Sequence, residues 1–247
     1  MIKIKTEKEI EVMREGGQIL ARILEEVKSQ AKAGVTTKEL DSLAADLIKK
    51  NGGRPSFKMV PGYPSATCMC VNEVVVHGLP SDYKLANGDL LGIDIGLYYQ
   101  GFHTDTAWTV LVGDGSCRSG GFLKTGKEAL RKAIEQAKVG NRVGHISKAI
   151  GETIEAAGFS PVRALVGHGI GRKLHEEPEI PCFLAGKIEK PPRLTVGMTL
   201  AIEVIYNMGK GEVVLPGHRT GKDRWTVVTK DGSLSALFEK TVTVTKE

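Results

Sequence analysis

Residues Leu90–Val110 have the sequence LLGIDIGLYYQGFHTDTAWTV, a pattern typical of a β-hairpin with two strongly apolar strands. The first strand carries Asp94 and the second carries Asp105. A turn centred between Tyr99 and Gln100 would place the two aspartates directly opposite each other. Like charges in such positions repel unless a cation lies between them, so the hairpin predicts a metal site. The alternative is that one aspartate caps the turn and the other is exposed.

Three further candidate ligands follow in the second half of the chain. His168 lies in the segment GHGIG, where flanking glycines let the backbone approach a ligand closely. Glu203 and Glu239 each lie in an apolar, strand-like segment, where an unpaired charge is costly to bury. Taken alone, either glutamate is more often exposed or salt-bridged than metal-bound. Together with the two aspartates, they form a set of four carboxylates and one imidazole that suits a pair of divalent cations.

Six motifs occur in a fixed order along the chain: VVVHGLP, GIDIG, FHTDT, GHGIGRKLHEEP, AIEV and SALFEKT. In this order they resemble the methionine aminopeptidases of type I, and the resemblance extends over essentially the whole chain. It implies an enzyme that removes N-terminal methionine from nascent proteins and peptides when the second residue is small. It also implies one catalytic domain, residues 1–247, with the α+β pita-bread fold. In that fold two pseudo-symmetric halves, here about 1–120 and 121–247, pack helices outside a curved antiparallel sheet.

The resemblance also gives each candidate ligand a role. Asp94 would bind one metal ion, Asp105 and Glu239 would bridge two ions, and His168 with Glu203 would complete the second position. Because the ligands are mainly oxygen atoms with a single imidazole, the set favours manganese, iron or cobalt, with zinc as a further candidate. The sequence does not choose among these metals.

The ligand set implies a hydrolytic mechanism without a protein nucleophile. Two metal ions lower the pKa of a shared water and polarise the first peptide carbonyl, so that a metal-bound hydroxide attacks it. Glu203 is the candidate general base and acid. His77 and His175 match the family's active-site histidines that do not bind metal. They would be catalytic by contacting the substrate and donating hydrogen bonds as charge develops.

The methionine pocket matches the family less fully. Tyr63, Cys68 and Trp225 correspond to residues that line the family's side-chain pocket. Val204 follows Glu203, where the family usually has proline. At four further positions the bacterial enzymes carry Cys, Tyr, Phe and Met, whereas this chain has Phe57, Val60, Leu174 and Ile205. The resemblance therefore implies the same chemistry with an altered pocket shape.

Composition and charge restrict the classes of protein to which the chain can belong. The chain has 247 residues, 41% of them hydrophobic, and its four cysteines form no C-x-x-C pair, which argues against a structural zinc site. Neither a signal peptide nor a membrane span is expected, so we predict a cytoplasmic monomer. The net charge of +5 comes from 34 dispersed basic residues, which argues against specific nucleic-acid binding. Contact with a ribosome surface stays open, because nascent chains are the substrates of this family.

Local patterns predict the helices. Thr6-x-x-Glu9 and Thr36-x-x-Glu39 are capping boxes that begin two helices, the second ending near Lys50. Further helices are expected near 124–137 and 143–157, and a surface loop at 181–195. The predicted buried stripe of the first helix is Ile10, Met13, Gly17, Leu20, Leu24 and Val27. A shift of 106 residues weakly indicates a repeat, aligning Leu40, Ala44, Ile48 and Gly52 with Ile146, Ile150, Ile154 and Gly158.

Two other functions remain alternatives at this point. An X-Pro aminopeptidase or prolidase shares the fold and the ligand set, but it usually has an additional N-terminal domain, for which the early first helix leaves no room. A peptide-binding homologue without activity usually loses ligands, and all five positions are intact here. The other histidines, His103, His145 and His218, have no partner motif and are expected to be structural or solvated.

Overall fold

The central hairpin turns through a two-residue loop. In the computed structural model, which describes residues 1–114, 117–215 and 223–245 without the side chains of 117 and 118, Gln100 and Gly101 have φ angles of 46° and 93°. Positive φ at both central residues is the backbone form that suits the twist of a tight hairpin. Tyr99 therefore pairs with Phe102. The turn is centred one residue further along the chain than the sequence predicted.

This difference corrects the predicted register of the two aspartates. Asp94 pairs with Ala107, and Asp105 pairs with Gly96, so the prediction that the aspartates oppose each other directly was wrong. Moving the turn centre by one residue shifts the pairing by two residues, and side chains alternate between faces with a period of two. The aspartates therefore remain on the same face as diagonal neighbours.

The described residues form four α-helices and twelve strands. The helices are α1 (Glu7–Gln30), α2 (Thr37–Lys50), α3 (Cys117–Glu135) and α4 (Val143–Ala156), with a short 3-10 helix at Phe57–Met59. The strands are β1 (Arg54–Pro55), β2 (Thr67–Val71), β3 (Val74–Val76), β4 (Leu90–Tyr99), β5 (Phe102–Leu111), β6 (Ser160–Pro161), β7 (Val166–Gly169), β8 (Glu176–Pro181), β9 (Thr199–Asn207), β10 (Val213–Val214), β11 (Val227–Thr229) and β12 (Ser235–Thr243).

Most of these strands belong to one antiparallel sheet. Within the described residues it has nine strands in the order β1-β4-β5-β12-β9-β7-β8, with β2 added to β4 and β6 added to β9. Strands β10, β11 and β3 form a second, three-stranded sheet. Helices packed on antiparallel strands confirm the predicted α+β class. None of the described helices is long and apolar enough to cross a membrane.

The helices begin largely where the sequence predicted. Thr6 and Thr36 both form complete capping boxes. In α1 the glycine that packs on the sheet is Gly16, where an added Cβ would lie 3.5 Å from the Tyr99 Cβ, and not Gly17, which has open space around it. Helix α3 begins at Cys117, earlier than predicted, because burial of the Phe122 side chain outweighs the weak helix propensity of the preceding glycines.

The weak internal repeat aligns two helices of the structure. Helices α2 and α4 have 14 residues each, and the aligned apolar positions are buried in both. Gly52 and Gly158, which follow the two helices, have φ angles of 76° and 79°. The two helices therefore share their length, their buried positions and a glycine with positive φ after the last turn, while the internal repeat itself stays a prediction. The division of residues 1–247 into two halves of one catalytic domain stays a prediction.

The helices cover one face of the large sheet. Helix α3 packs on β9 and β12, where Phe238 contacts Trp108 edge to face with ring centroids 5.0 Å apart. Helix α1 packs on β4 and β5. Phe238 lies one residue from Glu239, and Trp108 lies three residues from Asp105. Because side chains alternate between the two faces along a strand, both aromatic side chains point to the face opposite the acidic ones. The fold thus separates an apolar, helix-covered face from a face that carries the acidic side chains.

Helix α3 contains two glycines in contrasting environments. An added Cβ at Gly126 would lie 2.5 Å from the Phe238 ring and 2.6 Å from the Tyr206 hydroxyl oxygen, whereas Gly121 has no atom within 4 Å. We expect Gly126→Ala to lower the free energy of unfolding by about 1–3 kcal/mol through overpacking. Gly121→Ala, the matched control, should raise it by about 0.5–1 kcal/mol by stabilising the helix. Urea denaturation of the two variants measures both effects, and equal stability would contradict the close packing at Gly126.

Candidate metal centre

Three of the five candidate ligands lie in one row across the sheet. The cross-strand partners are Cys68 with Asp94, Asp94 with Ala107, Ala107 with Glu239, and Glu239 with Glu203. The directly opposed like charges are therefore the two glutamates of β9 and β12. Their Cβ atoms are expected to be roughly 4.5–5.5 Å apart. Repulsion between direct cross-strand partners therefore arises between these glutamates, and not between Asp94 and Asp105 as the sequence predicted.

The other two ligands lie in the neighbouring row on the same face. Asp105 pairs with Gly96, and its backbone N–H donates to the Thr241 hydroxyl over 2.8 Å. Thr241 pairs with Ala201, which pairs with His168. Small residues stand beside the candidate ligands in both rows: Ala201 in this one and Ala107 in the first. Gly96 instead makes room for Ser56 and Phe57, since an added Cβ would lie 2.7 Å from the Ser56 Cβ.

The five side chains converge. Donor atoms of Asp105, His168 and Glu239 all lie within 4.8 Å of one another. His168 Nε2 lies 3.4 Å from a Glu203 carboxylate oxygen, and the Asp94 carboxyl lies within hydrogen-bonding reach of Asp105. The ligands thus form one connected cluster, with Asp94 at one end and His168 with Glu203 at the other.

Two oxygen atoms in this cluster have no protein partner. Asp94 Oδ1 and Glu239 Oε1 are buried and accept no hydrogen bond from the described residues. Buried acceptors without a donor are costly, and oxygen atoms of this kind are preferred ligands of hard divalent cations. The donor set therefore fits one or more metal ions.

Burial shifts the pKa of every carboxyl in the cluster upward. Burial raises the pKa of Asp94 to about 7, while hydrogen bonds with Cys68 and Asp105 act in the opposite direction. Burial, followed by the neighbouring acids, raises the pKa of Asp105, Glu203 and Glu239 well above the usual range. Without a cation, these groups resist ionisation together.

His168 is oriented to present one ring nitrogen to the cluster. Its Nδ1 lies 2.8 Å from the Gly169 carbonyl oxygen. Because a carbonyl oxygen can only accept a hydrogen bond, Nδ1 carries the proton of the neutral ring and Nε2 is unprotonated. Burial, followed by the nearby His175, lowers the pKa of His168 to about 4. A neutral ring held by a carbonyl is the usual form of a metal-binding histidine.

The cluster borders a small, mostly apolar cavity. Its volume is about 130 Å³, comparable to cavities that admit one small apolar group. Besides the five ligands it is lined by Phe57, Val60, Tyr63, Cys68, Val76, His77, Leu174, His175 and Trp225. The structure thus brings together all the predicted ligands, both predicted histidines and three predicted pocket residues. Of the four positions that differ from the bacterial enzymes, only Ile205 is absent from this lining.

Aromatic and hydroxyl contacts hold the pocket wall. Tyr63 meets Trp225 edge to face at 5.1 Å between ring centroids, and its hydroxyl donates to the Thr67 carbonyl over 3.0 Å. His77 has a φ angle of 56°, an uncommon backbone conformation for a residue with a side chain and one that is concentrated at functional sites. His175 lies against His168, with ring centroids 4.4 Å apart.

A larger groove leads to the cavity. It has a volume of about 980 Å³ and shares His77, His168, His175 and Glu203 with the cavity. Ile205 lines this groove. The groove is therefore the route by which a peptide would reach the cluster.

Several supporting residues had no signal in the sequence. Asp41 of α2 accepts three hydrogen bonds, from the Ala66 N–H and from the N–H and hydroxyl of Thr67, where β2 begins. Lys5 forms a buried ion pair with Glu176 over 2.6 Å, next to His175. Both contacts join residues far apart in sequence, so no local pattern predicts them.

The remaining histidines and cysteines are accounted for separately. His103 is buried with its Nδ1 2.9 Å from the Ser56 hydroxyl, and the His145 ring accepts the Arg142 N–H at the start of α4, so both are structural as predicted. Cys68, Cys70 and Cys182 are free and buried. His218 and the side chain of Cys117 lie outside the described residues.

Comparison with known proteins decides the family. The model of metallopeptidase family M24 matches residues 11–246. The methionine aminopeptidase of Clostridium perfringens is 46% identical over 244 residues, which cover 99% of this chain and 95% of that protein. Methionine aminopeptidase 1 of Bacillus subtilis is 45% identical over 246 residues, covering 100% and 96%. The chain belongs to the methionine aminopeptidases of family M24.

Solved structures agree with this membership. The methionine aminopeptidase of Thermotoga maritima has a TM-score of 0.94 at 42% identity, covering 100% of this chain and 97% of that one. The prolidase of Pyrococcus horikoshii has a TM-score of 0.78 at 23% identity, covering 99% of this chain and 61% of that one, a likeness that shows the fold alone. The predicted pita-bread fold is confirmed. As an M24 metallopeptidase, the chain is a hydrolase that uses divalent metal ions.

The raised pKa values predict how metal removal changes stability. A buried carboxyl whose folded pKa lies above its unfolded pKa, near 4, holds a proton in the folded state that the unfolded chain has lost. Between pH of about 4.5 and 7, the contribution of these carboxyls to the free energy of unfolding of chelated protein should therefore fall as pH rises, whereas the contribution of His168, whose pKa is lowered to about 4, should rise over the same range. Added manganese should abolish this loss, because it favours the ionised carboxylates.

The measurement is urea unfolding at several pH values with and without chelator. Asp94→Asn should make the slope of the unfolding free energy against pH less negative in the chelated protein, because it removes one group that loses its proton on unfolding. Asp46→Asn, an exposed position on α2, is the control and should leave the dependence unchanged. An identical pH dependence for wild type and Asp94→Asn would contradict the buried, protonated state of Asp94.

Proposed function

We propose that this chain removes the N-terminal methionine of nascent proteins and peptides when the second residue is small. The observation that carries the proposal is one small cavity lined both by apolar side chains and by the five candidate metal ligands. Such an arrangement suits a substrate with an apolar side chain next to the bond that is broken. The names of the closely similar relatives support the same activity.

The methionine side chain is assigned to the space beside Tyr63, Cys68 and Trp225. A thioether makes favourable contacts with aromatic rings, and two rings stand at right angles here. Phe57, Val60 and Leu174 complete the apolar wall. These three residues are among those that differ from the bacterial enzymes, so they are the candidates for altered pocket shape and inhibitor response.

The metal ligands proposed are Asp94, Asp105, His168, Glu203 and Glu239. Their order in the cluster supports two ions, with Asp94 serving one, His168 and Glu203 serving the other, and Asp105 and Glu239 between them. Bound ions would acidify a water and polarise the substrate carbonyl. The mainly oxygen donor set supports manganese, iron or cobalt over zinc.

The residues of the chain itself would move the protons and hold the substrate. Glu203 would take a proton from the attacking water and deliver it to the leaving amine. His77 and His175, which both line the cavity and the groove, would donate hydrogen bonds to the carbonyl oxygen and the peptide as negative charge develops. The buried Lys5–Glu176 ion pair would hold the segment that carries His175.

The wider role follows from the substrate. The groove outside the cavity would receive the residues that follow the methionine, which makes an unfolded chain leaving the ribosome the natural substrate. Contact with the ribosome surface, a cytoplasmic location and a monomeric state stay predictions.

Peptide cleavage tests this function directly. Chelated protein should release no amino acid from Met-Ala-Ser, Leu-Ala-Ser or Ala-Pro-Ser, because the carboxylates alone supply no activated water. Addition of manganese, iron or cobalt should restore release of methionine from Met-Ala-Ser alone, measured by chromatography. Preferred cleavage of Ala-Pro-Ser would indicate an X-Pro peptidase, and no cleavage with any of the metals would indicate a peptide-binding protein.

Substitution of Glu203 tests its double role. Glu203→Ala should lower kcat by at least about 100-fold, as expected when a general base is lost, and should weaken metal binding while the fold is retained. Glu152→Ala, at an exposed position of α4, is the matched control and should keep full activity. Steady-state kinetics with titrated metal and circular dichroism measure these effects. Turnover at the wild-type rate in Glu203→Ala would remove Glu203 from the mechanism.

A further inference from the structure

Three lysine ammonium groups surround one tryptophan on the face of the sheet opposite the carboxylates. Lys28 of α1, Lys127 of α3 and Lys240 of β12 lie 5.2, 5.6 and 5.4 Å from the centroid of the Trp108 ring. Each distance is within the range of a cation–π contact. Three separate elements thus place positive charge around one half-buried ring.

This site lies where the two halves of the helix layer meet. Trp108 contacts both helix-side apolar cores, the one under α1 and α2 and the one under α3 and α4. Its edge-to-face contact with Phe238 fixes the ring between the two. The lysines therefore line the seam between α1 and α3, away from the cavity of the metal ligands.

The positive charges at this seam are incompletely balanced. Lys28 is paired with Glu25 over 2.7 Å. Among the residues that the structure describes, no carboxylate lies within ion-pair distance of Lys127 or Lys240. The Lys240 ammonium instead donates to the Thr106 hydroxyl over 3.1 Å. The exposed Lys127 and the half-buried Lys240 therefore have no ion-pair partner among the described residues, and both lie beside the same ring as Lys28.

The environment of Lys240 adds to this imbalance. Its side chain is half-buried. Lysine stems that only shield a ring from water would carry their charged ends outward into solvent. Here the Lys240 ammonium donates to the Thr106 hydroxyl, and a bound anion would supply the ion-pair partner that it lacks.

We propose that Lys28, Lys127 and Lys240 form a phosphate-binding site beside Trp108. Lysine is a compact point charge that binds phosphate well, and three such charges from three elements beside one ring suit a compact anion with more than one negative charge. The phosphate comes either from free inorganic phosphate or from the backbone of RNA.

Fluorescence of Trp108 tests the site. The chain has two tryptophans, so Trp225→Phe leaves Trp108 as the single reporter and makes the signal insensitive to phosphate bound at the metal centre. The metal-loaded protein is titrated with inorganic phosphate and, separately, with a short single-stranded RNA, each against sodium chloride at equal ionic strength. We expect a saturable change with phosphate, with RNA, or with both. Tighter binding of RNA identifies the backbone as the source, and binding of phosphate alone identifies the free anion.

Two variants and a matched control locate the effect. In this background, Lys127→Met and Lys240→Met should each weaken binding by about tenfold, as expected for the loss of one charge-assisted hydrogen bond. Lys132→Met removes the same charge from an exposed lysine on α3 that lies 3.7 Å from Glu128, and it should change the affinity less than twofold. With Trp225 intact, neither Lys127→Met nor Lys132→Met should alter methionine release. The absence of a saturable change with both ligands, or an equal loss in Lys132→Met, would overturn the proposal.

Discussion

The repulsion between buried carboxylates on one face of the sheet is the constraint on which the rest of the structure depends. Glu203 and Glu239 are direct partners in the β9–β12 ladder, and at a separation of about 5 Å two full charges repel by about 3 kcal/mol for an effective dielectric constant near 20. Two aspartates from the β4–β5 hairpin add to this. Because burial alone already opposes ionisation, the folded chain can hold these groups ionised only with a cation among them.

The sheet tolerates the cluster because its other face is well packed. The β9–β12 ladder pairs residues continuously from Ser235–Asn207 to Thr243–Thr199, and large side chains such as Phe238 and Tyr206 are fully buried against α3. This packing fixes the strands in register, so the acidic side chains cannot move apart. The small residues Ala107 and Ala201 stand between the ligands on the acidic face, where larger side chains would fill the space that a cation needs.

The sequence predicted the chemistry better than the geometry. Asp94, Glu203 and Glu239 could be identified as unusual because each is a single acid in an apolar strand. The cost of burying such a charge can be inferred from the few residues around it. The motif order predicted the family and its fold, and Thr6 and Thr36 predicted the helix starts, since capping depends on residues only three apart.

What the sequence missed depends on contacts between distant residues. The hairpin register depends on whether Gln100 adopts a positive φ. Gly and Asn adopt this conformation more readily than Gln does, so the sequence gave no signal for the turn at this position. The pairing of Glu203 with Glu239 joins strands separated by β10 and β11, and nothing local indicates it. Ile205 lies two residues beyond Glu203, which moves its side chain about 7 Å along the strand and out of the cavity into the groove.

The same alternation that gathers the acids also sets opposite charges on the two faces of the sheet. Glu239 and Lys240 are neighbours in β12 with side chains on opposite faces, and each favours the charged form of the other, although burial is the larger influence on both pKa values. Lysines at the helix seam therefore offset part of the carboxylate repulsion through the sheet but cannot neutralise it. An anion bound at the seam would weaken even that offset, so neutralisation of the acidic face must come from cations that share it.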